Sequence, residues 1–157
     1  MHRTAFILTL AILAAAACTK PGPEPLSTLS LVDCAPSGLG ATHAATMPAA
    51  AALRLGSGAG DDELFIPARG APSGTPFTFA RMAGAARERR VEVLPSIPVS
   101  KATVSIDVSG CVTPPGKALI IARQTASGWE NVGGTRSGNK LTSNELDHLS
   151  IYAVASN

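Results

Sequence analysis

The chain has 157 residues, with 15 Gly, 12 Pro and an apolar share of 45% that includes 27 Ala. That length allows one domain plus a tail, and the Gly and Pro content excludes long coiled coils and predicts frequent turns. A net charge of +2 is too weak for a nucleic-acid partner, and a charged share of 15% excludes a strongly charged disordered tail.

The first element is an export signal over residues 1–17. Met1-His2-Arg3 supplies a basic start, and Thr4 to Ala17 is uncharged and apolar apart from two threonines. This run suits a signal-peptide core and falls short of the roughly 20 residues a spanning helix needs. Small residues, Ala14-Ala15-Ala16-Ala17, then lead into Cys18.

This segment resembles a bacterial lipoprotein signal peptide, with Ala15 standing where that family usually has Leu. The resemblance implies cleavage at Ala17–Cys18 and acylation (palmitate among the chains) of Cys18, hence a membrane anchor. Two other readings stay open: an ordinary secretory signal cut at the same bond, and an uncleaved anchor. Thr19-Lys-Pro-Gly-Pro-Glu-Pro25 carries proline at alternating positions and predicts an extended tether. Thr19 is not the aspartate associated with inner-membrane retention in such lipoproteins. By that resemblance the outer membrane is the favoured destination.

Three cysteines, Cys18, Cys34 and Cys111, are an awkward number for an exported chain. Lipidation of Cys18 leaves Cys34 and Cys111 to form a disulfide in an oxidising compartment; two separate buried thiols are the alternative. Without supporting histidines the pair makes a poor zinc site, so no metal is expected.

Residues 18–50 are read as lipidated N-terminus and low-complexity linker. One strand is considered in Ser27–Asp33, and a short helix, interrupted by Pro48, in Ala41–Ala52. From residue 51 the apolar period becomes two. Strands are expected around Ala51–Leu55, Leu64–Ile66, Phe77–Phe79 and Val91–Val93. The clearest is Ala102–Val108, which alternates Ala102, Val104, Ile106 and Val108 with a wet face of Thr103, Ser105 and Asp107. Ala118–Ala122 is continuous and reads as a central buried strand; Trp129–Val132 and Leu149–Ala155 follow. Turn signals separate them, including Gly70 to Pro76, Pro95 to Pro98, Pro114-Pro-Gly and Ser137-Gly-Asn. Seven or eight short strands at this spacing predict an all-β fold, an antiparallel immunoglobulin-like β-sandwich over residues 51–157.

The order of motifs resembles ZU-five-like β-sandwich domains. It runs through Leu64-Phe-Ile-Pro-Ala68, Val91-Glu-Val-Leu-Pro-Ser96 with Ala102-Thr-Val-Ser-Ile106, and Ala118-Leu-Ile-Ile-Ala-Arg123 with Gly128-Trp-Glu130 and Val132-Gly-Gly134. The closing strand is His148-Leu-Ser-Ile-Tyr-Ala-Val154. In some members a His-Leu-Ser or His-Phe-Ser motif cuts itself. The resemblance therefore implies His148 as general base and Ser150 as the hydroxyl attacking the Leu149 carbonyl, with water hydrolysing the ester. The bland alternative has His148 closing a turn and Ser150 facing outward.

Other constellations are read structurally. Gly110 to Lys117 has prolines where a phosphate loop needs backbone donors. Ser137-Gly-Asn-Lys140 matches Ser-x-x-Lys in a turn rather than at a helix start. Asp61-Asp62-Glu63 is read as a hairpin tip rather than a calcium loop, Arg87-Glu-Arg-Arg90 as a solvated turn, and Trp129 as a core residue.

The sequence thus predicts a lipid-anchored envelope protein with a non-enzymatic structural or binding module. Its partners are the membrane and an envelope protein or polysaccharide ligand; no nucleic acid and no cofactor are expected. Self-processing between Leu149 and Ser150 is the alternative.

Overall fold

A computed structural model describes residues 29–35, 41–56, 62–82 and 87–157. The expected signal peptide, Cys18 and the proline-rich tether lie outside the described residues, as does Asp61.

Thirteen strands and no helix occur among the described residues. They are β1 (Ser30–Leu31), β2 (His43–Thr46), β3 (Leu53–Leu55), β4 (Glu63–Ile66), β5 (Pro76–Arg81), β6 (Arg90–Leu94) and β7 (Pro98–Asp107). Then come β8 (Leu119–Thr125), β9 (Gly128–Gly133), β10 (Thr135–Ser137), β11 (Lys140–Thr142), β12 (Leu146–His148) and β13 (Ile151–Ser156).

Two antiparallel sheets form the sandwich, one ordered β2-β5-β6-β13-β8-β9 and the other β10-β11-β7-β4-β3. The two longest-range strands are each shared along their length. The start of β13 pairs with β6 and its end with β1. The end of β7 pairs with β11 and its start with β12.

Inward residues follow the period of two. Leu64, Ile66, Val104, Ile106 and Leu141 meet Phe77, Phe79, Val91, Val93, Ile121, Tyr152 and Val154 in one buried cluster. β8 lies between β13 and β9 in its sheet, and its run is buried on both faces. Leu119 and Ile121 enter this core, while Ile120 and Ala122 join a smaller cluster with Ala155 on the other side.

β7 keeps its phase only from Ala102 onward. Lys101 has φ of 58°, and the pairing with β12 slips between Leu146 and His148. Such a bulge inserts a residue and re-aims the chain. Val99 can therefore pack on the core although it sits an odd number of places from Ala102.

Part of the segment read as linker belongs to the sandwich. β1 and β2 lie before residue 51, and Val32, Cys34 and Met47 are buried. The strand considered before Cys34 is present as β1. In place of the interrupted helix over Ala41–Ala52, His43–Thr46 pairs with β5 opposite Phe79 and Phe77. Alanine has little intrinsic strand preference, and here tertiary pairing supplies what propensity does not.

Candidate functional site

Leu149 and Ser150 are the step by which the chain leaves one sheet and enters the other. β12 ends at His148 beside β7, and β13 starts at Ile151 beside β6 and β8. The strand expected from Leu149 thus begins two residues later. Leu149 is fully buried and plugs the core. Its N–H donates to the Ile97 carbonyl at 2.9 Å.

Three successive carbonyls at this crossover each have a donor. The buried Tyr152 hydroxyl donates to His148 O at 2.7 Å, the Ser96 hydroxyl to Leu149 O at 2.7 Å, and the Val93 N–H to Ser150 O at 3.1 Å. A tyrosine hydroxyl reaching back a few residues resembles the corner that braces immunoglobulin sandwiches. Burial pushes the Tyr152 phenol well above its ordinary value.

The side chains of His148 and Ser150 line one groove of roughly 620 Å³ with Ser96, Gln124 and Arg123. They share the groove but no hydrogen bond joins them among the described residues. The Ser150 hydroxyl donates to the Gln124 carbonyl at 2.8 Å. Among the described residues, non-glycine positive φ occurs at Arg69 and Lys101 and not at the crossover. The arrangement therefore provides one donor on the carbonyl that a self-cleaving serine would attack, but not the base–nucleophile contact.

Arg123 closes one end of this groove. Its Nε and Nη2 donate to Glu130 Oε2 at 3.1 and 2.7 Å, a cross-strand pair in the β8–β9 register. Its Nη1 donates to Asp147 Oδ1 at 2.6 Å. Beyond it lies a second depression of roughly 470 Å³, lined by Glu130, Asn131, Asn144, Glu145 and Asp147. Desolvation works against the Arg123 charge, but the hydrogen bonds and charges of Glu130 and Asp147 outweigh it and raise its pKa. The same hydrogen bond and charge hold the Asp147 carboxyl below the usual carboxylate range.

Cys34 and Cys111 form a disulfide across 77 positions. Two backbone bonds flank it, Ala35 N–H to Gly110 O at 2.7 Å and Val112 N–H to Asp33 O at 2.8 Å.

Beside the disulfide lies a buried charge network that corrects two sequence expectations. Asp62 faces inward rather than capping a hairpin tip; it accepts from Arg81 Nε and Nη2 at 2.6 and 2.7 Å and from the Asp107 N–H at 2.8 Å. Glu63 pairs with Arg54 and Lys140. In the basic cluster only Arg87 is solvated as expected. Arg89 is 3% exposed and donates to the carbonyls of Asp107, Ser109 and Ala35. Arg90 is half-buried, pairs with Glu88 and lies over Trp129 at 5.3 Å.

The wet face of β7 is also drier than its residue types imply. Ser105 is buried and hydrogen-bonds Thr142 at 2.8 Å, and Asp107 is buried within the charge network. Burial works against the Asp107 charge, yet the Ser109 hydroxyl and amide, with Arg89 and Arg81, outweigh it and hold the carboxyl below its ordinary value. Trp129 is not in the main core: it packs on the outer cluster of Ile120, Ala122 and Ala155 with Leu29 and Leu31. Ser137-Gly-Asn-Lys140 is the β10–β11 turn, as expected.

Among the described residues no three His, Cys, Asp or Glu side chains gather as a metal-ligand set, and no helix is long and apolar enough to cross a membrane. No family model, curated protein or solved structure matches this chain.

Sequence reasoning missed Ser96 and Arg123. The one available signal for Arg123 was its place at the end of the apolar run Leu119–Ala122. A charge there, on a strand covered on both faces, must be paired. Nothing in the sequence connects Ser96 with Leu149.

Proposed function

We propose that the protein is an exported cell-envelope lipoprotein, acylated at Cys18, whose β-sandwich acts as a non-enzymatic binding or structural module of ZU-five-like type. The observation that carries this reading is the Cys34–Cys111 disulfide. Structural disulfides persist in oxidising compartments. Pairing these two cysteines leaves Cys18 as the odd one, directly behind an uncharged apolar run and four alanines. The proline-alternating segment after it holds the sandwich off the membrane surface, with the outer membrane as destination. The non-enzymatic part rests on the Ser150 hydroxyl being engaged by Gln124 rather than His148. Metabolic labelling with a radioactive fatty acid tests the anchor: wild type carries label and Cys18→Ala does not. Equal labelling of both ends the lipoprotein reading.

One observation favours a second reading, self-processing at Leu149–Ser150. The Ser96 hydroxyl already donates to the Leu149 carbonyl, where negative charge would develop during attack by Ser150. Intact mass of purified protein tests it. A separated Ser150–Asn157 piece that disappears in Ser150→Ala supports cleavage, and an uncleaved wild-type mass removes it.

A further inference from the structure

Arg123 is a cation held in place from one side and covered only loosely from the other. Glu130 grips its Nε/Nη2 edge from the neighbouring strand, so the guanidinium stays oriented whatever happens at Nη1. Nη1 is covered by Asp147, whose side chain is 86% exposed while that of Arg123 is 16% exposed. Asp147 lines both the 620 Å³ groove and the 470 Å³ depression. Arg123 lines both as well, so the ion pair sits where the two spaces adjoin. Because Asp147 stands in solvent and Glu130 keeps Arg123 paired, this second ion pair holds by only about 2- to 5-fold in equilibrium constant.

We propose that the Arg123 Nη1 position is a carboxylate-binding seat whose resident occupant is the protein's own Asp147, displaced when a carboxylate-bearing ligand enters the groove. The group now seated there is a carboxylate, which sets the chemistry. With Asp147 turned out, Arg123 and Glu130 cancel, and a monoanion restores the present charge balance. A dianionic phosphate would add a second negative charge beside Glu130 and Glu145. His148 lines the groove with Gln124 and Thr125 as polar wall for the body of the ligand. A uronic-acid saccharide and a peptide terminus both present this chemistry.

The inference rests on the domain being a binding module. Fatty-acid labelling tests the anchor and carboxylate titration tests the seat, so the two fail separately. The test is an amide chemical-shift titration of the folded protein with acetate, D-glucuronate and N-acetylglycine, each at constant ionic strength against chloride. Saturable shifts confined to Arg123–Thr125 and Asp147–His148 are expected, with Asp147→Asn binding about 2- to 5-fold tighter because its internal competitor is weakened. Tighter glucuronate than acetate identifies a saccharide acid, tighter N-acetylglycine a peptide terminus, and equal affinities a seat that reads the carboxylate alone. Arg123→Gln should lose saturation. Should that variant fail to fold, the exposed Asp147→Asn decides alone. Non-saturating shifts in wild type, or an Asp147→Asn affinity no tighter than wild type, overturn the proposal.

Discussion

Asp62 and Arg81 meet through two parallel hydrogen bonds of 2.6 and 2.7 Å, with side chains 6% and 13% exposed. They join the start of β4 in one sheet to the end of β5 in the other. The fork-to-fork geometry fits arginine and carboxylate better than any other charged pair. Removing Asp62 takes from the buried Arg81 guanidinium the carboxylate it is forked against. Asp62→Ala should therefore cost about 3–5 kcal/mol in urea unfolding, and the double variant Asp62→Ala/Arg81→Met should lose less than Asp62→Ala alone. A cost within surface-pair range would contradict the burial described for this network.

Asp107 makes the same region acid-sensitive. Its folded-state pKa is depressed, so its contribution is fully present above the unfolded value of about 3.9 and is lost as pH falls through the lower folded value. Stability measured by chemical denaturation should fall with acid across that window. Asp107→Asn should be less stable at neutral pH and show a flatter acid slope. Asp147, also depressed but highly exposed, should contribute little, so Asp147→Asn should keep the wild-type slope.

Tyr152→Phe removes the donor on His148 O while keeping the ring in the core. A carbonyl left without its partner at the sheet crossover should cost about 1–3 kcal/mol. The loss is read as an equilibrium unfolding midpoint shifted without a change in slope.

Ser156 presents the opposite case. It is 1% exposed, and its hydroxyl has no hydrogen-bond partner among the described residues. Ser156→Ala should leave packing intact and remove an unpaired polar group, raising stability by about 1 kcal/mol. A destabilised variant would show that the hydroxyl has a partner.

The disulfide should rank with the largest of these effects. The chain-entropy account assigns a closed loop of this size up to about 4.5 kcal/mol. Reduction, or Cys34→Ala with Cys111→Ala, should lower the unfolding midpoint and free the strand β1 from β13 first, because among the described residues two residue pairs and the Val32 N–H to Val154 O bond hold it there. Hydrogen exchange at Leu31 and Val32 in the reduced protein checks the order of loss.

Fold class was legible because it depends on where water-averse side chains recur. Ala102 to Val108 announced a strand by alternation, Leu119 to Ala122 announced a doubly covered one by continuity, and the turns fell where Gly and Pro clustered. β10, β11 and β12 escaped notice because each carries at most one apolar residue, which displays no period. β2 escaped because alanine and threonine do not distinguish an edge strand from a tail. Charged residues were the least legible. Asp62 and Arg89 look solvated in sequence, yet their partners lie 18 to 54 positions away.

By itself the amino-acid order determined an antiparallel sandwich and three cysteines from which one bridge could form. Both follow from local periodicity and from counting, which need no knowledge of distant neighbours. Only the tertiary structure decided that the arm before residue 51 joins the sheets. It also decided that Asp62 and Arg89 are buried, and that Ser96 reaches Leu149 and Arg123 reaches Asp147. Those outcomes turn on desolvation and hydrogen-bond geometry between segments far apart in the chain, where the cost of burying a charge is met by whichever partner the fold delivers.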